Sequence, residues 1–116
     1  MRKKFYALIF VFMIFTASTS YAAQDLRDLF WRMAWPEMEL QYNSLKKKTL
    51  TDHSLMANAY RFQNKWQQAV NILEPNAKNF PQSIKPYADM TLLLGYENLK
   101  QTQKALALSE NLYKNA

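Results

Sequence analysis

The 116-residue chain contains no cysteine, one glycine, one histidine and four prolines. Without cysteine there is no disulfide, no thiolate nucleophile and no sulfur ligand for a metal. A lipid-anchored lipoprotein is excluded on the same ground. Gly95 alone cannot supply a phosphate-cradling loop, which needs several backbone amides close to the ligand. One glycine is also too few for the turns of a small sheet protein, and the chain has no alternating β-branched runs. His53 has only Asp52 beside it as a candidate co-ligand and no nucleophile motif near it, so it reads as a first-turn surface residue. The close acidic pairs, Asp25/Asp28 and Glu37/Glu39, read as helix-start residues that complement the dipole. An acid–base dyad needs two carboxylates in divergent environments, and nothing here suggests a walled cleft. The chain therefore reads as all-α, with no catalytic residues, no metal, no cofactor and no enzymatic activity.

What is present begins with residues 1–22. Arg2, Lys3 and Lys4 precede an eleven-residue apolar run, Phe5 to Phe15, and then the small and polar segment Thr16 to Ala22. That order is the layout of a secretory signal peptide, with Ser20 and Ala22 as the small residues before a cut after Ala22. A membrane anchor would need roughly 20 apolar residues. The expected mature chain is 23–116, a single helical domain. Removing the leader takes away three of the fifteen basic residues, so the full-length charge of +6 falls to +3. A modest and scattered basic charge argues against a nucleic-acid partner. An exported chain of this size without disulfides suits a bacterial periplasm and must rely on helix packing. Trp31, Trp35, Trp66, Phe30, Phe62 and Phe80 are the large aromatics expected in the core.

Six helices are predicted. The first spans Gln24 to Trp35, with Leu26, Leu29, Phe30 and Met33 on one face. Pro36 opens the second, which runs to Lys48 and ends in three lysines suited to the negative end of the dipole. Thr51 and Asp52 read as the start of a third helix reaching Gln63, with Leu50 stapling onto Leu55. Asn64 suits a left-handed turn. The fourth starts at Trp66 and kinks or ends before Pro75. Residues 76–86 are irregular, and Pro86–Leu99 and Thr102–Lys114 complete the set.

The last four helices repeat with a period of 36 residues: Tyr60 matches Tyr96, Ala69 matches Ala105, Val70 matches Leu106 and Glu74 matches Glu110. An alanine early in the second helix of each pair lets two backbones approach, and the tyrosine fills the space beside it. A hairpin of this kind cannot bury its apolar face alone, so neighbouring hairpins must stack. In Ala57, Tyr60, Ala69, Leu73 and Pro81 the first unit resembles the tetratricopeptide repeat (TPR) family. The second unit keeps Tyr96 and Ala105 but has Leu93 and Ser109 at the other two matching positions. The period is also slightly longer than the family's typical ~34 residues. The resemblance covers residues 51–116 as two degenerate repeats, while 23–50 reads as a further hairpin outside the motif.

The resemblance implies a protein-binding groove lined by the first helix of each pair. Residue by residue it carries over to Ser54, Asn58, Arg61 and Phe62 on the third helix and Met90, Leu94, Glu97 and Asn98 on the fifth. Such a mixture of amide, charged, aromatic and thioether side chains suits a peptide or a partner helix. The expected function is an exported adaptor or assembly factor for an envelope, secretion or pilus system, with another protein as partner. Its alternative is a periplasmic inhibitor or immunity-type protein that blocks a toxin or hydrolase. Membrane contact is expected only through an uncleaved leader.

Overall fold

A computed structural model of the chain describes residues 25–115, and the leader and the start of the first predicted helix lie outside the described residues. Those residues form six α-helices and no strands: α1 (Leu26–Trp31), α2 (Trp35–Ser44), α3 (Leu50–Phe62), α4 (Trp66–Asn76), α5 (Lys85–Asn98) and α6 (Thr102–Lys114). They fall into two compact units divided between Ser44 and Leu45. The fold is all-α, built of helical hairpins.

In the first unit α1 and α2 make a short hairpin. Asp25 caps α1, its carboxylate accepting from the Arg27 amide. The helix is shorter than the spacing predicts because the chain reverses at Met33, which takes the left-handed conformation at φ 56°. Ala34 N–H then reaches back to the Leu29 carbonyl at 3.0 Å, and that five-residue closure satisfies a carbonyl the helix end leaves open. Pro36 occupies the first turn of α2, where an N–H would have no intrahelical partner. The buried residues are Leu26, Leu29, Met38 and Tyr42. α2 ends at Ser44, whose hydroxyl donates to the Gln41 carbonyl at 2.8 Å, a local bond that competes with helix continuation. Lys46, Lys47 and Lys48 therefore lie beyond the helix, not in its last turn.

The second unit contains α3 to α6. α3 starts two residues before the predicted position because Thr49, not Thr51, is its cap. Thr49 Oγ1 accepts from the Asp52 amide at 3.1 Å, and the Asp52 carboxylate accepts from the Thr49 amide at 2.9 Å. This reciprocal box places Leu50 inside the helix, so Leu50 is not a staple residue ahead of it. Asn64 closes the α3–α4 turn at φ 58°, and Lys100 closes the α5–α6 turn at φ 59°. The bond from Lys65 N–H to the Tyr60 carbonyl (2.9 Å) recurs as Gln101 N–H to the Tyr96 carbonyl (2.8 Å). The 36-residue period is thus written into the backbone as well as the side chains.

α4 passes through Pro75 and ends at Asn76. The missing amide would have served the Asn71 carbonyl, and both residues lie on the exposed face of the last turns, where water can replace the bond. Between α4 and α5 the Pro81 carbonyl accepts from the amides of Ile84 and Lys85, and Phe80 is buried beneath this turn's start. Pro86 sits in the first turn of α5.

The core of this unit is Met56, Ala57, Ala59, Tyr60, Ala69, Val70, Leu73, Phe80, Ala88, Leu92, Tyr96 and Ala105. Tryptophan contributes less than expected. Trp31 is 80% exposed and Phe62 64% exposed, and of the six expected aromatics only Phe80 is fully buried. Alanine at the helix crossings lets backbones approach closely, and in this unit Tyr60 and Tyr96 are the tyrosines buried alongside. Gly95 shows the same requirement at its limit: a Cβ there would lie 2.5 Å from Val70 Cγ2. α5 seats against α4 at that point because its residue has no side chain.

Candidate functional site

The eight residues assigned to a groove lie on the two first helices of the repeats, α3 and α5. On α3, Ser54, Asn58 and Arg61 are half-buried and Phe62 is exposed; on α5, Met90, Glu97 and Asn98 are exposed and Leu94 is half-buried. Residues 90, 94, 97 and 98 follow helical spacing and share a face. Tyr87, one turn before Met90, extends it and is 70% exposed. The side chains of α3 follow the same rule at 54, 58, 61 and 62. The two helices touch in space, so their faces form one surface.

Thr91 fastens that surface and was not singled out from the sequence. It is 1% exposed; its hydroxyl donates to Asn58 Oδ1 at 3.3 Å and accepts from Arg61 Nη1 at 3.2 Å. Asn58 and Arg61 are therefore positioned, not free to swing toward a ligand, and removing both leaves a buried hydroxyl without those partners. Their joint replacement would disturb the α3–α5 contact as well as any binding. Asn98 donates to the Leu94 carbonyl at 2.8 Å, which holds its amide against the helix. The most accessible apolar side chains of the surface are Phe62, Tyr87 and Met90.

A cleft of about 360 Å³ opens where α4, α5 and α6 meet, lined among others by Glu74, Lys85, Asp89, Leu92, Tyr96 and Lys104. Four of its five charged side chains are paired within the protein. The buried Asp89 carboxylate pairs with Lys85 Nζ at 3.2 Å, and the same ammonium donates to the Ala77 carbonyl. Tyr96 Oη donates to Glu74 Oε2 at 2.5 Å, and Lys104 Nζ meets that oxygen at 3.1 Å. The tyrosine hydrogen bond, more than Lys104, holds the Glu74 carboxyl below its ordinary range, against a smaller opposing effect of burial. The Tyr96 phenol is pushed well upward, by burial first and then by its bond to Glu74. A carboxylate kept ionised and doubly bonded is a poor proton donor. This cluster acts as a clasp joining three helices, each from a different part of the chain.

A second cleft, about 340 Å³, lies on the outer side of α5 and α6 and is lined by Leu93, Glu97, Thr102, Ala105, Leu106 and Ser109. Among the described residues no three His, Cys, Asp or Glu side chains converge as metal ligands would, and no helix is long and apolar enough to cross a membrane. Partial burial lowers the His53 pKa from its ordinary value, opposed by the charge of Asp52.

No family model, curated protein or solved structure matches this chain.

Proposed function

We propose that the chain is an exported, TPR-like protein-binding module that serves as an adaptor or assembly factor in an envelope, secretion or pilus system. The observation that carries this reading is the α3–α5 face. It presents Phe62 and Met90, 64% and 51% exposed, beside a polar framework fixed by Thr91. Large apolar side chains held in water on a rigid helical face favour contact with the apolar side of a partner helix or peptide. The short basic head, apolar run and small-residue segment of residues 1–22 support export, and the lack of cysteine suits a chain whose stability rests on packing.

The decisive variant is Phe62→Asp with Met90→Asp, which puts two charges on the face without touching the Thr91 bridge. A photo-crosslinking residue at position 87, between these side chains and α5's start, reports the contact in the envelope of the source organism. The expected result is a discrete crosslinked partner that the double variant loses by roughly tenfold or more while it retains its helical circular dichroism and cooperative unfolding. Equal crosslinking by the variant would refute the surface assignment. Mass spectrometry of the exported protein tests the compartment: a mature start at Ala23 supports it, and a start at Met1 sinks the cleavage.

A further inference from the structure

The cleft on the outer side of α5 and α6 has an internal template. Subtracting 36 from each of its residues gives a residue of the first repeat, and three of these, Arg61, Trp66 and Val70, meet α5 directly. Leu93, Ala105, Leu106 and Ser109 map onto Ala57, Ala69, Val70 and Leu73. All four of those are at most 2% exposed. Thr102 maps onto Trp66, which faces Gly95, and Glu97 maps onto Arg61, which bonds Thr91 of α5. The cleft is therefore the repeated image of the seat in which α5 lies. In its present state the image of buried Val70, Leu106, is 59% exposed.

We infer that this cleft is a second docking site that accepts an amphipathic helix of another protein, continuing the stack as α5 continues it from α3 and α4. Two features set the chemistry of that helix. Its crossing residue must be small, because Gly95 is what allows α5 to lie against Val70 and the image carries the larger Leu106. Its residue opposite Glu97 must be basic, because a carboxylate stands where Arg61 met a hydroxyl. Glu110, the exposed image of Glu74, offers a second acceptor for a hydroxyl or an ammonium, as Glu74 does for Tyr96 and Lys104. The exchange of Trp66 for Thr102 and of Leu73 for Ser109 makes the seat wider than its template. This surface shares Glu97 with the α3–α5 face but neither Phe62 nor Met90, on which that proposal rests, so its failure would leave that proposal standing.

The test uses a conformationally stapled peptide with the α5 sequence Lys85–Asn98, Lys replacing the residue equivalent to Thr91, titrated against the full mature chain by fluorescence anisotropy. Saturable binding is expected, weakened roughly tenfold or more by Leu106→Arg in the protein. That substitution is at an exposed site and leaves the melting temperature unchanged. Glu97→Lys in the protein should reverse the preference, favouring a peptide with Glu in place of the Lys. Phe62→Asp with Met90→Asp should leave peptide binding intact. Absent binding, binding indifferent to both Leu106→Arg and Glu97→Lys, or a self-dimer dissolved by Leu106→Arg in sedimentation would each overturn the inference, the last by giving the cleft to a second copy.

Discussion

Gly95→Ala is the most informative single change. In an isolated helix it would stabilise, since alanine is better than glycine in a helix interior by about 1 kcal/mol. Here the new methyl carbon would stand 2.5 Å from Val70 Cγ2, while its other neighbours, a ring carbon and the carbonyl oxygen of Trp66, lie at ordinary contact distances of 3.8 and 3.9 Å. Carbon atoms prefer roughly 3.5–4.0 Å, so α4 and α5 must separate by about 1 Å or Val70 must leave its rotamer. Val70 is buried, with 2% exposure, so the strain falls inside the core. Overpacking of this kind costs about 1–3 kcal/mol. Net of the propensity gain, the loss should be about 1 kcal/mol, which lowers the melting temperature by roughly 4–8 °C in a domain of this size. Urea denaturation followed by circular dichroism, on wild type, Gly95→Ala, Val70→Ala and the double variant, separates the two effects. With Val70 shortened, the clash is gone and Gly95→Ala should stabilise, giving a coupling of about 2 kcal/mol across the cycle. An equal effect of Gly95→Ala in both backgrounds, or stabilisation in the presence of Val70, would refute the close approach as the reason for the glycine.

The reciprocal cap of α3 predicts that Thr49→Ala costs about 1 kcal/mol while Thr51→Ala changes little; the order of their urea midpoints checks it. Glu74 is held ionised by Tyr96, so its contribution to stability is fully present above the ordinary carboxyl value of 4.5 and is lost as pH falls through its lowered folded value. Glu74→Gln should therefore flatten the acid limb of the stability profile. The raised Tyr96 phenol has the opposite sign: its contribution is present below 10 and fades as pH rises beyond that, which absorbance at the tyrosinate band should register as a delayed titration. Ala69→Leu, at a site with no exposure at all, should overpack the α3–α4 hairpin by about 1–3 kcal/mol, visible as a lower melting temperature.

Much of the second unit is legible in the chain because its signals are local. Asn64 marks a left-handed turn, Pro86 a helix start, and the matched tyrosines and alanines mark the repeat. The features that escape are those in which packing overrides a local preference. Met33 and Lys100 adopt the left-handed conformation without glycine or asparagine, since the hairpin contacts on either side demand the reversal. Pro75 suggests a break, yet α4 continues because the lost bond lies on its wet face. Thr51 and Thr49 are both competent caps by type, and only the position of Asp52 relative to each decides between them. Within the candidate surface, spacing alone puts 90, 94, 97 and 98 on one face. Thr91, three and seven residues before Leu94 and Asn98, falls on the same face by spacing, but its bonds to Asn58 and Arg61 exist only once α3 lies alongside. The Glu74–Tyr96–Lys104 clasp joins residues 22 and 30 apart in sequence, separations that no helical period selects.

The three left-handed turn residues, Met33, Asn64 and Lys100, carry a kinetic consequence. A non-glycine residue in that conformation costs roughly 1–2 kcal/mol, so a hairpin closed by one is uphill until a neighbour packs against it. Reversals are then quick to form and quick to dissolve, and a hairpin's lifetime depends on how many of its sides are occupied. Within the second unit the α3–α4 pair is held by α5, while no described helix of that unit covers the outer side of the α5–α6 pair. Amide exchange should accordingly run as a gradient, with α6 opening first and α3 and α4 last. A helix docking on the outer side would slow that opening, so protection of α6 amides is a direct gauge of whether the last hairpin has found its neighbour.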